Sequence, residues 1–282
     1  MIATTAPAST TPARRTLATN APSFGTTLQS EWTKLRTIRS TWIMAGMAIG
    51  LSIAFSLLTA LVVGLTYDSW NTSGQQEFDP ILTPMSGLLF GLVLLTVLSV
   101  TAVTSEYSSR MIRTTLIGNP RRMRVFAAKA ILVGGLGLTI SAITIPSLIL
   151  LSQPIYGHYG LETASITDSA AVRLILVNVF GQGLIYTLIP FSIAWLLRST
   201  ASAITVAIGF NFLPWMLASI VPIWMQHNLL RYLPDPAANS LSGLNDSGAA
   251  TYLSQTPALL LIPIWLIVAL TAAALTLNRR DV

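Results

Sequence analysis

Glu106-Tyr107-Ser108-Ser109-Arg110-Met111-Ile112-Arg113-Thr114-Thr115-Leu116-Ile117-Gly118-Asn119-Pro120-Arg121-Arg122-Met123-Arg124-Val125-Phe126-Ala127-Ala128-Lys129 is the stretch that decides the fold. It gathers five arginines, one lysine and one glutamate in a chain of which only 9% is charged. Long uncharged apolar runs flank it on both sides. A basic segment between two apolar spans reads as a cytoplasmic loop, because cytoplasmic loops of membrane proteins carry the excess of Lys and Arg. Its first half has helical periodicity: Tyr107, Met111 and Thr115 share one face, and Arg110 and Arg113 lie together on another. Asn119-Pro120 ends that pattern, since proline disfavours helix at the residue before it. The expectation is a short amphipathic helix across the cytoplasmic mouth of a bundle. A solvated basic loop that only fixes topology accounts for the charge equally well.

Outward from this stretch, composition sets the class. The chain has 282 residues, 52% of them hydrophobic, with a net charge of +6 and a mean hydropathy of +0.67. That is too apolar for a soluble domain and predicts an all-α membrane protein. Without cysteine there is no disulfide, thiolate metal site or cysteine nucleophile. The basic charge is strung along one side of a membrane rather than gathered in one patch, which points to anionic lipid headgroups and away from nucleic acid.

Residues 1–27 are rich in Ala, Thr, Pro and Ser without apolar period, and read as a disordered cytoplasmic tail. The six-span transmembrane body is expected over 28–282. Leu28, Trp32, Leu35, Ile38 and Trp42 are spaced as one apolar stripe, with Glu31, Lys34, Arg36 and Arg39 on other faces. The expectation is an amphipathic interfacial helix anchored by Trp32, Lys34 and Trp42 at headgroup level. Six spans follow, each long enough for a hydrocarbon layer of about 30 Å: Trp42–Leu65, Ile81–Ser105, Ala130–Leu151, Leu174–Leu197, Ile204–Trp224 and Ala258–Leu277. The cytoplasmic connection between the second and third is 106–129. The outer loop 225–256 carries Leu229, Leu230, Tyr232 and Leu233 before Pro234-Asp235-Pro236. It reads either as a short helix re-entering the outer leaflet or as a surface loop with packed apolar residues.

With both termini cytoplasmic, 14 of the 16 basic residues fall inside; Arg173 and Arg231 fall outside with seven of the 10 acids. The sequence lacks Gly-x-Ser-x-Gly, His-Glu-x-x-His and the phosphate-binding Gly-x-x-x-x-Gly-Lys-Ser/Thr. No span carries Asp or Glu in its middle, and Lys129 is placed to snorkel to the inner interface. Any energy for transport must then come from another polypeptide. Asn178 with Gln182 reads mainly as an interhelical hydrogen-bonding pair and Gly46 with Gly50 as a helix contact, whereas Asn211, in a span interrupted by Pro214 and Pro222, reads equally as a packing amide or a site residue.

Thr104-Ser105-Glu106-Tyr107, Arg113-Thr114-Thr115-Leu116, Pro120-Arg121-Arg122 and Ala128-Lys129 resemble the first cytoplasmic loop of ABC exporter permeases of the type-2 class, bacterial ones above all. Glu31-Trp32-Thr33-Lys34-Leu35-Arg36-Thr37 is similar to the start of the interfacial helix in that group. The resemblance implies a six-span half of a membrane pathway, completed by a second permease subunit, identical or paralogous. It implies an ABC ATP-binding subunit that holds ATP and Mg, with no cofactor bound by this chain itself, and residence in the bacterial cell membrane. Glu106, Tyr107, Arg110, Arg113, Pro120, Arg121 and Arg122 would form the ATPase-coupling loop. The route, lined by the second and fifth spans, would take in Phe90, Phe210 and Asn211, with Gln182 of the fourth. The sequence departs from the pattern at Arg110-Met111-Ile112, where the family often has Gly-Thr-Ile. Cargo in the class includes drugs, antimicrobial peptides, lipids and polysaccharides; spans without charge favour an amphipathic or apolar one. A stand-alone channel or facilitator is the competing expectation.

Overall fold

A computed structural model describes residues 23–109, 121–218, 220–245 and 247–279. Among them there is no strand, and six helices are long and apolar enough to cross a membrane. The protein is an all-α, multi-pass membrane protein. The expected tail lies outside the described residues except at its last few positions, and so do Arg110, Arg113 and Pro120.

Helix α1, Phe24–Thr37, starts where the Ser23 side chain accepts a hydrogen bond from Thr26 N. It stops at Ile38, whose extended backbone (φ −82°, ψ 107°) breaks the helix before α2, Arg39–Thr66. The apolar stripe read across this region is therefore two stripes. Trp42 belongs to α2, and its indole donates to Arg36 O at 3.0 Å across the break. The face of α1 that packs on protein is Thr27, Glu31 and Leu35, one helical turn apart each time. Trp32 and Trp42 are exposed, at 43% and 48%, and so free to meet lipid.

A 3-10 turn at Thr83–Gly87 leads into α4, Leu88–Ser108; the short α3, Thr72–Gln76, lies between α2 and that turn. Helix α5, Arg122–His158, is far longer than the apolar run Ala130–Leu151. Its first turns carry Arg122, Arg124 and Lys129, so a hydropathy window could not see them. The fourth span runs Ser169–Leu197 as α6 (Ser169–Val177), a π-helical turn at Asn178–Gln182, and α7 (Gly183–Leu197). Helix α8, Thr200–Ala218, ends short of the expected Trp224, which sits instead in α9, Ile223–Asn228, begun at Pro222. The outer loop is neither free nor featureless: α10, Pro234–Ser242, buries Asp235, Ala237, Ala238 and Ser240, and packs on α11, Gln255–Arg279, and α6.

The fourth span is the hub. Helix α7 packs on α4, α5, α8 and α11, while α2 packs on α4 and α5. Buried hydroxyls in α4 are satisfied along their own helix: Thr96, Ser99 and Thr104 donate to Leu92 O, Leu95 O and Val100 O. Among the described residues, nothing lies within 4 Å of a Cβ placed at Gly46 or Gly50, where a helix contact was expected. Close approach is made instead at Gly87, where a Cβ would overlap Ser52 O of α2, and at Gly137, where it would overlap the Thr187 side chain. Packing at the end bearing Arg121–Arg124, the basic end, is aromatic. Phe126 meets Phe191 and Trp195 at ring separations of 5.4 and 5.8 Å, and Tyr107 stands edge-on to Trp195 at 5.8 Å.

Candidate functional site

At the basic end, four charged side chains from three helices close into a ring. Lys34 Nζ of α1 lies 2.6 Å from Glu31 Oε1 and 3.1 Å from Glu106 Oε1. Lys129 Nζ of α5 lies 2.6 Å from Glu31 Oε2 and 2.9 Å from Glu106 Oε1. Signs alternate around the ring, so its net charge is zero. Glu31, Lys129 and Glu106 are buried, and only Lys34 keeps part of its side chain in the open.

Each charge here needs its neighbours. Glu106 lies in the last turn of α4, not in the first turn of a loop helix as expected. At a helix C-terminus the macrodipole disfavours a carboxylate, so the favourable partners of Glu106 are the two lysines and not the helix end. Lys129 does not snorkel; it points inward and is neutralised there. For Glu31, burial works against the charge, but the Lys129 ammonium and then Lys34 outweigh it and hold its carboxyl below the usual value. For Lys34, burial likewise opposes the charge, and Glu31 with Glu106 overcomes it and lifts the ammonium above its usual value. Separating one partner from such a buried set strands an uncompensated charge, at a cost of about 3–5 kcal/mol. The ring thus acts as a lock between α1, the end of α4 and the start of α5. Those two spans bracket residues 109–121. A cavity of about 380 Å³ opens beside the ring, lined by Lys34, Glu106 and Lys129 with Thr41, Met44 and Thr101.

The other expected residues of this end take separate places. Tyr107 turns inward, with the Arg198 guanidinium 5.4 Å from its ring centre. Arg198 itself caps α7 in the left-handed region (φ 57°). Arg121 precedes α5 and is exposed, and Arg122 reaches Leu277 O of α11 at 3.4 Å. Lys34, expected as a headgroup anchor, is a member of the ring. Glu31 and Lys129 were not legible as site residues. The available signal was the i, i+4 run Thr27-Glu31-Leu35 together with lone charges at the ends of two spans.

At the opposite end a second polar group lies inside the bundle. The Tyr186 hydroxyl donates to Asp235 Oδ1 at 2.9 Å, Asn239 Nδ2 donates to Asp235 Oδ2 at 3.1 Å, and Gln182 Nε2 donates to Asn239 Oδ1 at 2.6 Å. Pro234 at the first position of α10 fixes its start, and the four-residue spacing of Asp235 and Asn239 puts both on one face. These residues line a cavity of about 440 Å³ with Asn211, Phe212 and Leu82. Of the four expected route residues, the structure brings Gln182 and Asn211 together here. Phe90 stacks on Phe55 of α2 at 4.9 Å, and Phe210 on Trp265 of α11 at 5.4 Å, so neither lines this cavity. Asn178 bonds its own helix, at Leu174 O.

A family model described as ABC-2 family transporter protein matches residues 27–214, most of the chain. No curated protein and no solved structure matches it.

Proposed function

The chain belongs to the ABC-2 transporter family, and we propose that it is the membrane permease of an ATP-driven exporter, working with a separate ATP-binding subunit. The observation that carries this reading is the buried charge ring formed by Glu31, Lys34, Glu106 and Lys129. It ties together the two spans that bracket 109–121, the stretch in which Arg110, Arg113 and Arg121 fall. A force applied to that stretch by a docked subunit would pass into α4 and α5 together rather than be lost in one helix end. Glu106, Tyr107, Arg110, Arg113, Pro120, Arg121 and Arg122 are proposed as the coupling segment, with Glu106 acting through the ring. ATP and Mg are held by the partner.

The orientation follows from charge: the basic end faces the cytoplasm, as basic loops do, in the cell membrane of a bacterium. A second permease subunit, a copy or a paralogue, completes the pathway. The cargo is amphipathic or apolar, in keeping with spans whose middles carry no acid or base.

The test is reconstitution. The chain, co-expressed with an ABC ATP-binding subunit from the same genome, is expected to co-purify with it and to move an amphipathic probe across liposomes only when ATP is present. Flux through this chain alone without ATP would identify a stand-alone facilitator and overturn the reading.

A further inference from the structure

The cavity beside α10 is a built site with an unusual balance of groups. Its floor and sides are apolar, from Leu82, Met85 and Leu89 with the ring of Phe212. Its polar wall is rich in acceptors. Asp235 is buried at 9% exposure, and among the described residues no ion pair reaches it. Two neutral donors, Tyr186 and Asn239, take one site on each carboxylate oxygen. A carboxylate can accept about four hydrogen bonds, so capacity remains. Among the described residues, the Gln182 Oε1 and both polar atoms of the Asn211 amide are buried without hydrogen-bond partners. Asn211 and Gln182 are only 2% and 3% exposed. Among the described residues, no lysine, arginine or histidine lines the cavity.

Orphaned buried polar atoms and an uncompensated buried carboxylate are both costly, and each is relieved by a ligand that supplies what is missing. What is missing is mainly positive charge and N–H donors, with one acceptor wanted by Asn211 Nδ2. We propose that this cavity binds an amphiphile with a protonated amine head, the apolar wall taking its body and Asp235, with the amide oxygens of Gln182 and Asn211, taking the N–H donors. The Phe212 ring adds an aromatic surface on which a cation is favourably placed. An aminophospholipid fits less well than a free amine, because its phosphate would meet no basic group here. An acidic amphiphile is rejected by the Asp235 charge, and an alcohol of the same shape brings a single donor and no compensating charge. The π-helical turn at Asn178–Gln182 belongs to the site: it puts Gln182 at the junction of α6 and α7, and such turns recur at functional positions. The permease reading is used only to name the ligand as cargo; binding does not depend on it.

The experiment measures binding, not transport. The full chain in phosphatidylcholine nanodiscs is titrated with 2-naphthylethylamine, 2-naphthylethanol and 2-naphthylacetate at pH 7.5, with empty discs subtracted. These probes share a body and differ in head. The amine brings a positive charge and several N–H donors where the alcohol brings one uncharged donor, so it is expected to bind about tenfold or more tighter than the alcohol, and the acetate to bind weakest. Asp235→Asn keeps the shape and removes the charge; it is expected to bring amine and alcohol to near parity while alcohol binding persists. Asn211→Leu, which leaves the carboxylate in place, is expected to weaken the amine several-fold. Equal binding of amine and alcohol to the unaltered chain overturns the proposal, whatever the variants do. So does an amine preference that survives Asp235→Asn. Amine selectivity in a chain that shows no ATP-driven flux would keep this site and reject the exporter reading; ATP-driven flux without amine selectivity would do the reverse.

Discussion

Lys129 and Lys34 touch the same two carboxylates, yet they should not matter equally. Lys129 is buried and Lys34 is partly open to solvent. Lys129→Met leaves Glu31 and Glu106 facing each other in a low-dielectric site with one cation between them, at a cost of about 3–5 kcal/mol. In Lys34→Met the buried Lys129 still contacts both acids, so the cost is expected to be smaller. Thermal unfolding of the two purified variants checks this order; an equal or greater loss in Lys34→Met would contradict it. Asp235 makes a second residue-scale prediction. Burial pushes its carboxyl from an ordinary 3.8 up to about 6. The folded state therefore holds the proton more tightly than the unfolded chain does. The resulting stabilisation is complete below the unfolded value and is lost as pH rises through about 6, amounting to about 3 kcal/mol by neutral pH. Asp235→Asn, which does not titrate, should melt higher than the unaltered chain at pH 7.5, and the gap should close near pH 4. A gap independent of pH would show that the carboxyl titrates normally.

Among elements, helix contacts separate what the sequence could reveal from what it could not. Gly46 and Gly50, four residues apart in an apolar span, have the spacing of a helix interface but face open space. Gly87 and Gly91, at the same four-residue spacing, are pressed against α2, and Gly137 and Gly183 against each other's helices, so spacing alone did not tell an interface from an open face. Gly87→Ala should destabilise because its Cβ would meet backbone, Ser52 O, which cannot step aside. Gly46→Ala should be neutral or gain up to about 1 kcal/mol from helix propensity. Melting temperatures of the pair decide it, and a loss at Gly46 equal to that at Gly87 would contradict the packing. The six apolar runs were legible because lipid demands long uncharged segments, and all six are helices. Their ends were not, because α5 begins in arginines and α8 stops before an apolar stretch that folds as α9. The α1 stripe misled for a related reason. Apolar spacing predicts the face toward lipid, whereas the face toward protein was chosen by Glu31, whose partner Lys129 lies on a distant helix. Pairings such as Lys34 with Glu106, 72 residues apart, leave no local pattern. The same holds for Asp235 and Tyr186, 49 residues apart, which meet only when α10 packs on the bundle.

For the whole molecule, the two sites lie at opposite ends of one packed unit. The charge ring grips α4 and α5 at the basic end, and α4 and α7 frame the acceptor-lined cavity at the other. Helix α7 packs on both α4 and α5, so a displacement of the ring has a continuous path of packed side chains toward the cavity. In the exporter reading, that path is how hydrolysis on a partner subunit reaches the cargo. The ring is proposed to transmit force rather than merely stabilise the fold. Glu106→Gln tests it, since the amide keeps the shape and can still accept a hydrogen bond while weakening the pull on both lysines. The measurement is ATP hydrolysis and probe efflux, assayed side by side on the reconstituted complex. The account predicts that Glu106→Gln assembles and hydrolyses ATP but moves several-fold less probe per ATP consumed, and an unchanged ratio of efflux to hydrolysis would contradict it.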